Sequence, residues 1–134
     1  MRSLKAYCAA LSVALMLAPA IANSSPITSA AIGGSWELRT TCTDHHGQPG
    51  SCIEMKHGSL EFTFGADGSW NSVANDRDGR TTREGKYEIR KERIILKNAD
   101  GSTYQDWQPE MSSDGQSFMF VSKQFIYTFA RTTN

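Results

Sequence analysis

From Gly33 onward the chain alternates apolar and polar residues with a period of two, and Asp-Gly pairs interrupt the alternation at four points. In SWELRTTC, Trp36, Leu38, Thr40 and Cys42 fall on one face and Glu37, Arg39 and Thr41 on the other. In SLEFTF, Leu60, Phe62 and Phe64 alternate with Glu61 and Thr63, and in KYEI Tyr87 and Ile89 alternate with Lys86 and Glu88. FIYTFA sets Phe125, Tyr127 and Phe129 on a common face. A period of two with aromatic and β-branched residues is the pattern of half-buried strands.

Asp67-Gly68, Asp78-Gly79, Asp100-Gly101 and Asp114-Gly115 stand between such runs. Asp-Gly tolerates the positive φ angles of tight hairpin turns, so each pair marks a reversal. Further reversals are expected at residues 90–92 and at Gly47-Gln-Pro-Gly50, and no apolar stripe of helical period follows residue 22. About eight short strands joined by antiparallel connections must bury one face and hide their edges, which up-and-down closure into a barrel achieves. The expected fold is all-β, a small antiparallel up-and-down barrel of about eight strands.

The start of the chain constrains where that barrel works. MRSLKAYCAALSVALMLAPAIA has a basic start at Arg2 and Lys5, a short apolar run and the small-x-small pattern Ala20-Ile21-Ala22. These are the parts of a secretory leader over residues 1–22, too short in its apolar run for a membrane span. Residues 23–32, NSSPITSAAI, read as a flexible lead, and residues 33–134 as the barrel domain. A periplasmic or secreted location follows, with no membrane-spanning segment. Without the leader the chain holds 12 basic against 14 acidic residues, a balance that disfavours nucleic acid as a partner.

Three further features carry a resemblance. Gly34-Ser35-Trp36 heads the first strand, Gly85-Lys86-Tyr87 sits in the middle of the chain, and Arg131 ends the aromatic last strand. In the first and last of these the sequence resembles the lipocalins, and in the whole order, with strand-Asp-Gly-strand units between them, it resembles the short bacterial lipocalin-like domains. The resemblance implies that Arg131 lies across Trp36 and closes the barrel's bottom. A guanidinium over an indole is worth about 0.5–2 kcal/mol.

CTDHHGQPGSC, residues 42–52, holds the two cysteines that remain after the leader, and two of the three histidines. An even cysteine count in an oxidising compartment favours a Cys42–Cys52 disulfide. Redox catalysis would require closer cysteines and a helix start. A metal reading would draw on Asp44, His45, His46 and His57, which offer imidazole and carboxylate ligands without a fixed His-x₃-His spacing. The simpler reading is a hairpin reversed at Gln48-Pro49-Gly50 and stapled by the disulfide, its histidines solvated. No metal and no cofactor is expected.

Little supports catalysis. The turn aspartates serve turns, no Gly-x-Ser-x-Gly is present, and Glu61 and Glu88 read as outward charges, so no enzyme activity is expected. Arg77, Arg80, Arg83, Lys86, Arg90, Lys91, Arg93 and Lys97 interleave with five acidic residues, as on an ordinary charged outer face. Trp36, Phe62, Phe64, Tyr87, Phe118, Phe120, Phe125, Tyr127 and Phe129 are the candidates to face inward. They would line a pocket for a small apolar or amphipathic ligand, or else fill the barrel. Two functions follow. One is a ligand-binding barrel of the cell envelope. The other is an inhibitor or immunity-type module that meets a secreted or envelope protein through its stapled loop.

Overall fold

The computed structural model describes residues 27–132. The expected leader at residues 1–22, and residues 23–26 of the lead, lie outside the described residues. A helical turn, α1 (Ser29–Ile32), precedes ten strands: β1 (Gly34–His45), β2 (Gln48–Glu54), β3 (Leu60–Phe64), β4 (Ser69–Asp76), β5 (Gly79–Arg90), β6 (Arg93–Asn98), β7 (Thr103–Trp107), β8 (Glu110–Met111), β9 (Ser117–Ser122) and β10 (Phe125–Arg131). All pairings are antiparallel, in the order β7-β6-β5-β4-β3-β1-β10-β9-β8, with β2 on β1 besides.

The ten segments make eight passes, because two passes are broken. β2 takes the far half of one edge of β1, Thr40 to His45, and β3 takes the near half of that edge, Gly34 to Glu37. β7 pairs with β6 and β8 with β9, so the stretch 103–111 holds both ends of the sheet. Its break falls at Gln108 and Pro109, where the proline has no N–H to give a ladder. Across that seam Trp107 stacks on Phe120 with centroids 4.4 Å apart. The sheet thus curls into the expected barrel.

The four Asp-Gly pairs and Lys91-Glu92 all fall at connections. In three of the connections the aspartate binds the turn itself. Asp67 accepts from Ser69 N, Asp100 from Ser102 N and Asp114 from Gln116 N, at 2.9–3.0 Å. The β1–β2 reversal differs from expectation. It sits at His46-Gly47, with φ of 53° and 85°, and Gln48-Pro49-Gly50 belongs to β2. Asp44 Oδ1 accepts Gly47 N at 2.8 Å, so the Asx bond sets the turn earlier than the proline suggests.

The lead corrects another expectation. From Ile27 onward it is part of the barrel's base: Ile27 and Ile32 are 6% and 0% exposed, and Thr28 Oγ1 caps α1 by accepting Ala31 N. Small and polar composition suggested a flexible tether, but two isoleucines suffice to anchor it in the core. Inside the barrel, Trp36, Phe62, Phe64, Trp70, Ile94, Leu96, Trp107, Phe118 and Phe129 form one cluster, each at most 5% exposed.

Candidate functional site

The base is built around the Gly-x-Trp head of β1. Gly34 takes φ 107°, which favours glycine, and a Cβ there would meet Arg131 Nη1 at 3.1 Å. Trp36 Nε1 donates to Ile32 O at 2.7 Å, so the indole holds α1 under the barrel. Arg131 lies over the Trp36 ring with Cζ 4.2 Å from its centroid. β10 ends where its register sets Arg131 opposite Trp36, so first strand and last are joined at the bottom.

Above the base the candidate aromatics fill the barrel. Phe62 touches Phe64, Trp70, Trp107 and Phe129 at centroid distances of 5.1–6.2 Å, and Trp36 meets Phe118 at 4.8 Å. Phe64 meets Tyr87 at 5.2 Å, and Tyr87 Oη donates to Gly65 O at 2.9 Å. Of the nine candidates, Trp36, Phe62, Phe64, Tyr87, Phe118, Phe120 and Phe129 are buried. Trp70 and Trp107 join them, and the alternation did not place either side chain. Among the described residues these rings pack against one another through the middle of the barrel.

Tyr127 and Phe125 behave differently. Both share the inward parity of Phe129, yet Tyr127 is half-buried and Phe125 is 39% exposed. Ring contacts climb from the core to them: Trp107 to Phe120 at 4.4 Å, Phe120 to Tyr127 at 5.4 Å and Tyr127 to Phe125 at 6.3 Å. Thr41 stands opposite Tyr127 on one side and Ile53 on the other, which puts Ile53 on the same concave face, 67% exposed. This ladder of apolar side chains runs out of the core into an open mouth.

The β1–β2 hairpin rises beside that mouth. Cys42 and Cys52 are directly paired across it and disulfide-bonded, with Cα atoms 4.0 Å apart. All seven residues of β2 are exposed. Cys42 does not share a face with Trp36, as strict alternation implies. The pairing of β1 with β10 slips between Leu38 and Thr40, and this bulge turns every later side chain over. Cys42 is therefore buried on the convex side against its partner Ile126, apart from the main core.

The histidines do not converge. His45 ends β1 against Gly50, where a Cβ would meet its ring at 2.5 Å, and His46 occupies the exposed turn. His57 lies in the break between β2 and β3, with Nδ1 2.8 Å from Glu37 Oε1. Among the described residues no group of three or more His, Cys, Asp or Glu side chains is placed to hold a metal. Burial works to raise the pKa of Glu37, but Arg39 at 2.5 Å and His57 outweigh it and hold the carboxyl below its ordinary value. Its cross-strand neighbour is Glu61, and Glu88 pairs with Lys97 and Arg90 at 2.8 Å each, so both expected outward charges lie on the charged side of the sheet. A shallow depression of about 410 Å³ over β4 and β5 is lined by Asn71, Ser72, Val73, Thr82, Arg83 and Glu84, and by none of the candidate aromatics.

No family model and no curated protein matches the sequence. Solved structures do. A lipocalin-like protein from Bacteroides uniformis superposes with a TM-score of 0.59 at 18% identity, over 76% of this chain and 99% of that one. An uncharacterized protein from Bacteroides eggerthii superposes with a TM-score of 0.56 at 15% identity, over 75% and 99%. Identity this low speaks for fold alone. Among the described residues no helix is long and apolar enough to cross a membrane. The curled antiparallel sheet superposes on these structures: the chain has a lipocalin-like fold.

Proposed function

We propose that this is an exported lipocalin-like barrel of the cell envelope that binds a small amphipathic ligand at its mouth, not in a deep cup. The observation that carries the reading is the aromatic ladder Trp107, Phe120, Tyr127, Phe125, with Ile53 beside it. Apolar side chains that face a barrel's axis are ordinarily covered. Full burial of such a side chain is worth about 1.5–3 kcal/mol; Ile53 at 67% and Phe125 at 39% exposure forgo only part of it, and an apolar ligand body would recover some of that part. The disulfide and the leader expected at residues 1–22 support export.

Native mass spectrometry of the exported protein tests this. An adduct of several hundred daltons that leaves on denaturation is expected, and it should be lost in Ile53→Ser/Phe125→Ser with the fold intact. A bare protein that also fails to take up dodecanol would sink the reading.

The second reading, a module that docks on a secreted or envelope protein, is favoured by the fully exposed, stapled β2. Capture of one stoichiometric envelope protein by the wild type, and not by a variant lacking residues 46–51, would favour it.

A further inference from the structure

The mouth is not level. Residues 79–84 of β5 pair with β4, and β6 joins β5 only from Gly85 onward, so beyond Gly85 the wall steps down on that side. Arg83 stands at this step. It is directly opposite Ser72, which is 5% exposed, and it shares the parity of Tyr87, so its side chain belongs to the concave face. Its guanidinium lies 5.0 Å from the Tyr104 ring centroid. Tyr104 in turn stacks on the buried Trp70 at 5.4 Å and 7°, and Trp70 is pinned by Nε1 to Lys97 O at 2.9 Å.

Among the described residues three arginines of the sheet pair with an acid, and Arg77, Arg80 and Arg83 do not. Arg39 has Glu37, Arg90 has Glu88 and Arg93 has Asp106. Arg83 makes no hydrogen bond and no ion pair among the described residues, and strand alternation turns the adjacent Glu84 to the opposite face. A guanidinium held over a ring is weakly hydrated, and one with no other partner keeps its N–H fork free to take a carboxylate through two bonds. A bare anion in open water would gain little there. An anion joined to an apolar body would gain from the ladder as well.

We propose that Arg83, laid on Tyr104 at the step in the barrel wall, receives the anionic head of a carboxylate amphiphile whose apolar part occupies the mouth. This rests on the mouth-binding reading and adds the charge and position of the head group. Calorimetric titrations with laurate, dodecanol and dodecyltrimethylammonium below their micellar concentrations test it, on the disulfide-intact protein. Laurate should bind at one site and more tightly than the other two. Arg83→Gln should weaken laurate about tenfold and leave dodecanol unchanged. Arg80→Gln, on the same hairpin and the opposite face, should change neither. Near-UV circular dichroism checks that each variant keeps its core. If Arg83→Gln leaves laurate binding intact, or Arg80→Gln costs as much, the head-group site is wrong while mouth binding survives. If neither laurate nor dodecanol binds the wild type, both readings fall.

Discussion

Arg131 covers Trp36 at 4.2 Å and at the same time donates to three backbone carbonyls: Gly115 O at 2.9 Å, Gly33 O at 2.7 Å and Ala31 O at 2.7 Å. One side chain thereby ties α1, the head of β1, the turn before β9 and the end of β10. The cation–π contact and the charge-assisted bonds together are worth about 2–4 kcal/mol. Arg131→Ala should lower stability by that amount in urea unfolding, with the slope unchanged. Arg131→Lys should recover only part, since an ammonium cannot span the three carbonyls. A loss under about 0.5 kcal/mol in the alanine variant would mean that the clamp does not hold the base.

The disulfide closes a loop with a sequence separation of 10, for which chain entropy gives about 2–3 kcal/mol. Because β2 pairs with β1 alone, its loss should loosen the hairpin before the barrel. Cys42→Ala/Cys52→Ala should lower the urea midpoint and speed amide exchange in β2, with the near-UV signal of the core retained. A thiol probe should find no reactive cysteine in the described domain until the protein is reduced; reaction of both without reduction would overturn the staple.

Gly85 is required by its neighbours. A Cβ there would sit 1.8 Å from the backbone carbonyl oxygen of Lys97 on β6, and 2.9 Å from Trp70 Nε1, which crosses the glycine to donate to that same oxygen. Gly85→Ala should cost about 3 kcal/mol or more, with a shift in tryptophan emission. Gly68→Ala meets only Tyr87 O, at 4.0 Å, and suffers from its φ of 84°, so about 1 kcal/mol is expected. Equal losses in the two variants would show that the Lys97 carbonyl and the crossing indole impose no constraint.

Acid should weaken the fold partly through Glu37. Burial tends to raise its pKa, while the bonds to Arg39 and His57 lower it further, leaving it below its ordinary 4.5 although Glu61 stands opposite. A carboxyl lowered by folding adds stability above its unfolded pKa, and that stability is lost as pH falls through the folded value. The urea midpoint should therefore drop as pH passes below 4.5, and the drop should be smaller in Glu37→Gln and in high salt. Asp67 and Asp100, lowered chiefly by the bonds from Ser69 and Ser102, share the direction. An identical acid slope in Glu37→Gln would remove Glu37 from the account.

Much of this architecture could be read along the chain because its causes are local. Alternation in SLEFTF and FIYTFA sets which side chains share a face, Asp-Gly supplies the turn conformation, and the Trp36 and Arg131 ends can be matched by their chemistry. The turn at Lys123-Gln124, where Lys123 takes φ 56° without a glycine, left no such mark. The sequence by itself determined an all-β, disulfide-stapled chain whose aromatics seek one interior. Only the tertiary structure decided that the interior is filled, that the bulge after Leu38 turns Cys42 outward, that Ile27 and Ile32 seal the base, and that Phe125, Ile53 and Arg83 stand at an open lip. Each of these depends on how far one strand extends past a neighbour distant in the chain. Pairing length and register are set by partners across the sheet, and no run of adjacent residues encodes them.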